Sequence, residues 1–301
     1  MKKRILHGLI LLSVTIQIAV GQTQYDLIEN AYKKKSIQML SQFFDNWSNE
    51  ISPNNSDIKN DTIKEVYNVF KGFYYPTQLS ILGGSEWRDS LYLRAKYFVV
   101  QSKMKKIYFV DKVYFTDKEK DSITVSFYTN LFKNDTVRLK NELKRDANGN
   151  LMPYVYENWN IEFYNTRELK AVDSIEEFYP KIDYKDIKAV YLTPKYQNLM
   201  DIFLGNSYSK LGKGGIMNPA RSKGASEKRK AFIDILITTF YGHWGGYWQL
   251  NTYPYVYSIT FDKYMKYAKV DFRMVYEGGE ALLKKEGEKW VIINSKRTWI
   301  E

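Results

Sequence analysis

Hydrophobic positions along the chain switch from a helical period to a strand period, and they do so twice. In residues 25–50, Leu27, Ile28, Ala31, Tyr32, Leu40, Phe43, Phe44 and Trp47 recur near 3.6-residue spacing, which predicts one long or broken amphipathic helix. The polar stretch 52–60, with Pro53, reads as a loop. Thr62-Ile63-Lys64-Glu65 has the form of a capping box, and Ile63, Val66, Tyr67 and Phe70 form a stripe behind it, so a second helix is expected to end before Pro76. The composition then turns to Val, Ile, Tyr and Phe in 106–115, 122–131, 136–143 and 154–164. Polar breaks at Asp117-Lys118-Glu119-Lys120, Lys133-Asn134-Asp135 and Asp146 to Asn150 separate these runs and predict an antiparallel meander.

The second passage begins with a short helix expected at 167–179, ended by Pro180, and a strand at 188–192. Thr193-Pro194 supplies an N-cap and a first-turn proline for a helix that Gly205 would end. Residues 206–225 are rich in Gly, Ser, Lys and Arg and read as a flexible insertion. Within it, Gly212-Lys213-Gly214-Gly215 lacks the Gly-Lys-Ser/Thr ending of a phosphate loop and follows no strand. Ser226 is placed to cap a long helix carrying Phe232, Ile233, Leu236, Ile237, Phe240, Tyr241 and Trp244, with its end at Gly245-Gly246. Four alternating strands close the chain at 255–261, 268–276, 279–285 and 289–299, the last two joined by Glu286-Gly287-Glu288. The pattern predicts an α+β protein, with helices packed on curved antiparallel sheets and domains at 22–192 and 193–301. Phe43-Phe44-x-x-Trp47 and Phe240-Tyr241-x-x-Trp244 share a spacing that fits either a duplication or chance in an aromatic-rich chain.

The N-terminus alters this picture. Lys2, Lys3 and Arg4 precede an apolar core from Leu9 to Val20, and Ala19-Val20-Gly21 fits a cleavage site, so residues 1–21 read as a signal peptide and the protein as periplasmic or secreted. The core is shorter than the ~20 residues a membrane span needs. No cysteine follows it to carry a lipid, and no later segment is apolar enough to span. The net charge is +11 over the whole chain, about +8 without the leader, and the lysines are scattered among acids. That distribution reads as solubilising charge and gives no expectation of nucleic-acid binding.

Missing residue types narrow the chemistry further. The chain has no Cys and two His, one of which, His7, lies in the leader. Multi-His zinc sites, Cys-His nucleophiles and thiol redox chemistry are thereby excluded, and no metal or other cofactor is expected. No Gly-x-Ser-x-Gly elbow accompanies His243. The candidate binding group is Tyr241, His243, Trp244, Tyr247 and Trp248, whose rings suit a small apolar or sugar-like ligand or plug the end of a sheet. Asp271 and Arg273 share a strand face, either lining a cavity as a charged pair or facing solvent.

The order of helices followed by hairpins, ending in a strand such as Trp290-Val291-Ile292-Ile293-Asn294-Ser295, resembles the nuclear transport factor two-like superfamily, which includes SnoaL-like domains and the ketosteroid isomerases. The resemblance covers 193–301 and, more weakly, 25–164. The segment from Gly242 to Glu301 also looks like exported proteins of Bacteroidota. The superfamily's fold is a cone of helices wrapped by a curved sheet, whose open end commonly holds a ligand. Some of its members are enzymes with an Asp base, but their catalytic residues cannot be placed on this chain, so none is carried over. The expectation is an exported, non-enzymatic protein with a cone-like C-terminal domain that binds a small ligand or a protein partner. The alternatives are a hydrolase or isomerase of the same fold, with His243 or Asp271 as base, and a cell-envelope accessory protein.

Overall fold

The computed structural model describes residues 23–53, 60–83, 89–147, 149, 170–172, 174–206, 226–242 and 247–300. The expected leader, the strand at 154–164 and all of the insertion but Asn206 lie outside the described residues.

The first helical stretch is broken in two. Helix α1 covers residues 23–34, Lys35 takes a left-handed φ of 52°, and Ser36 Oγ accepts the Met39 N–H to start α2 (Ile37–Glu50). Helix α3 (Asp61–Phe73) starts one cap earlier than the sequence suggests. Asn60 Oδ1 accepts the Ile63 N–H at 3.2 Å, so Thr62 lies inside the helix. Glu65, expected to close a capping box, instead turns away towards Trp290 and Lys285.

After β1 (Tyr97–Gln101) and β2 (Lys106–Val110), the expected meander gives way to helices α4 (Asp117–Leu131) and α5 (Thr136–Glu142). The reason is local. Thr116 and Glu119 form a reciprocal capping box, and Asp135 Oδ1 accepts the Arg138 N–H at 2.9 Å. The polar tetrad at 117–120 therefore opens a helix where it was expected to turn a hairpin. The helix expected at 167–179 is also corrected. Its described part is strand β3 (Lys170–Val172), paired with β2, followed by a bridge between Ile175 and Met104.

Strand β4 (Lys188–Leu192) and α6 (Pro194–Leu204) match expectation, with Thr193 as N-cap and Gly205 left-handed at φ 73°. Helix α7 (Glu227–Ile233) stops far short of Trp244. Asp234 Oδ1 accepts both the N–H and the hydroxyl of Thr239 at 3.1 and 2.7 Å. The run from Ile235 to Thr239 is largely β-branched, which disfavours continuing the helix. The Leu236 carbonyl, released from the helix, accepts the N–H groups of Lys96 and Tyr97 ahead of and at the start of β1. Phe240–Tyr241 then forms a short strand β5, paired with β6 (Trp248–Gln249). The aromatic spacing shared by 43–47 and 240–244 is thus helical in the first instance and begins as strand in the second.

The C-terminal meander is as expected: β7 (Tyr255–Asp262), β8 (Tyr267–Met274), β9 (Glu277–Glu286) and β10 (Lys289–Ile300). Its sheet is longer than the meander, however, with the order β10-β9-β8-β7-β2-β3, and β2 runs parallel to β7 with Ile107 opposite Ile259. The separate pair β1-β4 is also parallel. The fold is α+β and its sheets are not closed.

The pair β1-β4 stands between two cores. Tyr97, Val99 and Val190 join α1, α2, α6 and α7 in one. Phe98, Val100 and Tyr191 join α3 and β7 to β9 in the other. Each alternates with the two-residue period of a strand, which is why all of β1 is buried. Both cores take residues from either side of position 192/193.

Candidate functional site

The turn between β7 and β8 is built on one carboxylate. Asp262 is buried, and its two oxygens accept the N–H groups of Tyr264, Lys266 and Tyr267 at 2.9 to 3.2 Å. Met265 sits in the left-handed region at φ 51° to complete the reversal. This geometry pushes Lys263, Tyr264 and Lys266 outward. Tyr264 is 69% exposed, with the ammonium groups of Lys263 and Lys266 5.1 and 5.9 Å from its ring centre.

Opposite the turn stands the first part of α3, and the end of β9 closes the third side. Together they bound a cleft of about 670 Å³ holding Lys64, Lys263, Lys266, Lys284 and Lys285, with Tyr264 and Tyr267 as ring surfaces. Two acids, Asp61 and Glu65, also line it. Glu65 is already committed to Lys285 at 2.9 Å and Trp290 at 2.7 Å. Lys263 and Lys284 have distant acidic partners at 3.7 and 3.5 Å. Lys64 and Lys266 make no ion pair among the described residues. The lining is therefore net basic, with five lysines against two acids beside the exposed Tyr264. A smaller hollow of about 550 Å³ shares Lys263, Tyr264, Lys266 and Tyr267 and adds Lys112 and Tyr114, whose ring stacks on Tyr267 at 4.9 Å. Lys112 is held by Glu119, whose carboxyl the ammonium lowers to about 2.

The described residues among those singled out in the sequence fall into two groups, one on the β5–β6 hairpin and one on β8. His243 and Trp244 lie outside the described residues. Tyr241 is partly exposed on β5 and meets Trp248 edge-on at 5.0 Å. The Tyr247 ring lies against Gly242, where an added Cβ would stand 2.4 Å from it. Trp248 is buried, clamped by Asn206, whose Oδ1 accepts the Trp248 N–H at 2.7 Å and whose amide donates to its carbonyl at 3.2 Å. The described part of this group is a packed hairpin joined to α6.

Asp271 and Arg273 share a face of β8 but engage different partners. Asp271 accepts from Lys269 at 3.0 Å and from the Ser258 hydroxyl. Arg273 donates to the Val275 carbonyl at 2.9 Å and faces the Trp299 ring at 5.8 Å. The expectation of a solvent-facing pair is corrected here. Lys269 is 3% exposed, and Glu280, the register neighbour of Asp271 on β9, approaches it at 3.5 Å. One ammonium group is thus shared by two acids on the polar face of the sheet. Among the described residues no group of acids and histidines is suited to hold a metal.

The lysine-lined cleft escaped the sequence reading because its cations come from positions two hundred residues apart. The local signal was Lys263-Tyr264-Met265-Lys266-Tyr267, where basic and aromatic residues interleave between two clean strands. Comparison of the chain with protein-family models, curated proteins and solved structures finds no match. Among the described residues no helix is long and apolar enough to cross a membrane.

Proposed function

We propose that the chain is an exported, non-enzymatic protein that binds a negatively charged, sugar-like ligand in the cleft between α3 and the β7–β8 turn. The observation that carries this is that one cleft gathers Lys64 and Lys266, without ion pairs among the described residues, with the exposed Tyr264 ring, over which the Lys266 ammonium stands at 5.9 Å. A tyrosine face accepts the apolar face of a sugar ring, and lysines supply cationic donors for its carboxylate or sulfate groups. Among the described residues no arginine lines the cleft. Lysine ammonium groups act as mobile point charges, which suit anionic groups dispersed along a ligand. The leader-like N-terminus supports export.

Calorimetric titration with digalacturonate and a sulfated heparin disaccharide, beside neutral cellobiose, tests the reading. The acidic disaccharides should bind and cellobiose should not. Lys266→Glu and Tyr264→Ala should each weaken binding at least tenfold. Equal binding of cellobiose, or full affinity in both variants, would remove the cleft from consideration.

A further inference from the structure

A second cleft, of about 530 Å³, shares α3 and the β9–β10 hairpin with the first and is closed by residues 181–184 in place of the β7–β8 turn. Helix α3 contributes Lys64 to the first and Lys71 to the second. Seven residues bring a helix back to within about 20° of the same face and advance it about 10 Å. The other wall is the β9–β10 hairpin, which gives Lys284, Lys285 and Gly287 to the first cleft and Glu288, Lys289 and Trp290 to the second. The contact of Glu65 with Lys285 and Trp290 forms the ridge between them.

The lining of the second cleft repeats the chemistry of the first. Lys71 and Lys289 are exposed and make no ion pair among the described residues. Tyr75 and Tyr184 line it with the neutral amides of Asn68 and Gln78, and it holds two acids, Glu288 and Asp183, the latter paired with Lys181 at 3.3 Å, against three lysines, so it too is net basic. A monomer would need one such place. Two in succession on one helix face, each pairing uncompensated ammonium groups with tyrosine, fit a chain that repeats its anionic unit.

We infer that the ligand is an acidic oligosaccharide laid along α3 across both clefts, with several sugar units bound at once. This rests on the proposed function, and it assigns the second cleft a role of its own. The second set of contacts becomes intramolecular once the first is made, so affinity should rise with chain length by more than the number of binding registers allows.

Titration with digalacturonate and octagalacturonate, and with heparin di- and octasaccharides, tests this. In the native protein the octamers should bind at least thirtyfold tighter than the dimers. Lys71→Glu and Lys289→Glu should each cut octamer affinity about tenfold and leave dimer affinity within twofold. Lys34→Glu, on α1, makes the same charge change outside both clefts and should alter neither. If dimers bind at the first cleft but octamers gain only a few-fold, and Lys71→Glu does not reduce that gain, the extended site is overturned and the single-cleft function stands. If neither length binds, both readings fall.

Discussion

The indole N–H of Trp290 donates to the Glu65 carboxylate at 2.7 Å, joining the middle of α3 to the start of β10. Both residues are buried, and Lys285 and Asn68 complete the carboxylate's set of donors. The contact ties α3 to the β9–β10 hairpin, which bounds one side of the candidate cleft.

Burial pushes the Glu65 carboxyl up, but the hydrogen bonds from Lys285, Trp290 and Asn68 and the Lys285 charge outweigh it, so its pKa lies below the usual value. A carboxyl depressed in the folded state adds stability above its unfolded pKa of about 4.3. That contribution is lost as pH falls through the lower folded value. Glu65→Gln should therefore lower stability at neutral pH by about 1–3 kcal/mol. It should also flatten the acid limb of the Tm-versus-pH curve. Parallel curves for the two proteins, measured by calorimetry, would show that the carboxylate is not coupled to folding.

Gly72 lets α3 approach β10. A Cβ at this position would sit 2.3 Å from the Trp290 carbonyl oxygen and 2.9 Å from its Cβ. Alanine improves helix propensity by up to about 1 kcal/mol, whereas overpacking against rigid backbone costs about 1–3 kcal/mol. The clash should win, and Gly72→Ala should shift the urea midpoint downward. An unchanged or raised midpoint would mean that the walls can separate freely.

Lys269 should be indispensable where it stands. Its removal leaves Asp271 and Glu280, register neighbours on β8 and β9, facing one another without a cation. Breaking a buried ion cluster costs about 3–5 kcal/mol, and the residual exposure of both acids places Lys269→Met near the lower end. Adding Asp271→Asn should recover part of the loss in a double-mutant cycle. Strictly additive effects would contradict the contact.

In the helical core, Trp47 stacks on Tyr196 at 4.3 Å and 7°, and its indole N–H donates to the Tyr191 carbonyl at 3.0 Å. Trp47→Phe keeps a ring but removes one of two donors to this carbonyl, which retains the Thr193 N–H at 2.8 Å, a loss of about 0.5–1.5 kcal/mol. Chemical denaturation should show it, and a loss below the lower figure would assign the site to packing alone.

Binding at the cleft should divide into a salt-sensitive and a salt-insensitive part. The Debye length is about 10 Å at 0.1 M salt and 3 Å at 1 M, so the contribution of Lys64 and Lys266 should fade across that range while the Tyr264 contact persists. Lys266→Glu should flatten the salt dependence, and Tyr264→Ala should lower affinity at every salt concentration. The same slope in all three proteins would argue against charge recognition.

Local signals read well where the chain itself decides the structure. Thr193-Pro194 and Gly205 bound their helix as expected, and the alternation from 255 to 299 gives four strands. Reading failed where two local signals compete or where a distant partner decides. The Val, Ile, Tyr and Phe content of 122–131 suggested strand, but the Thr116–Glu119 box starts a helix there. The stripe from Phe232 to Trp244 suggested one helix, but Asp234 accepts from Thr239 and the Leu236 carbonyl serves β1. Neither parallel pairing could be read, because period-two patterns mark strands without naming their neighbours. The cleft was hidden for the same reason: Lys64 and Lys266 meet only once β7 to β10 pack on α3.

The parallel joins β2-β7 and β1-β4 also set an order of events for the chain. Ile107 finds Ile259, and Val99 finds Val190, only after long loops have closed. The N-terminal portion emerging alone would leave Phe98, Val100 and Ile107 with α3 but without the β7–β9 residues that complete their core. Completion of that core therefore waits for the last third of the chain. A truncation before β7 should therefore be degraded or aggregate instead of persisting as a free-standing unit.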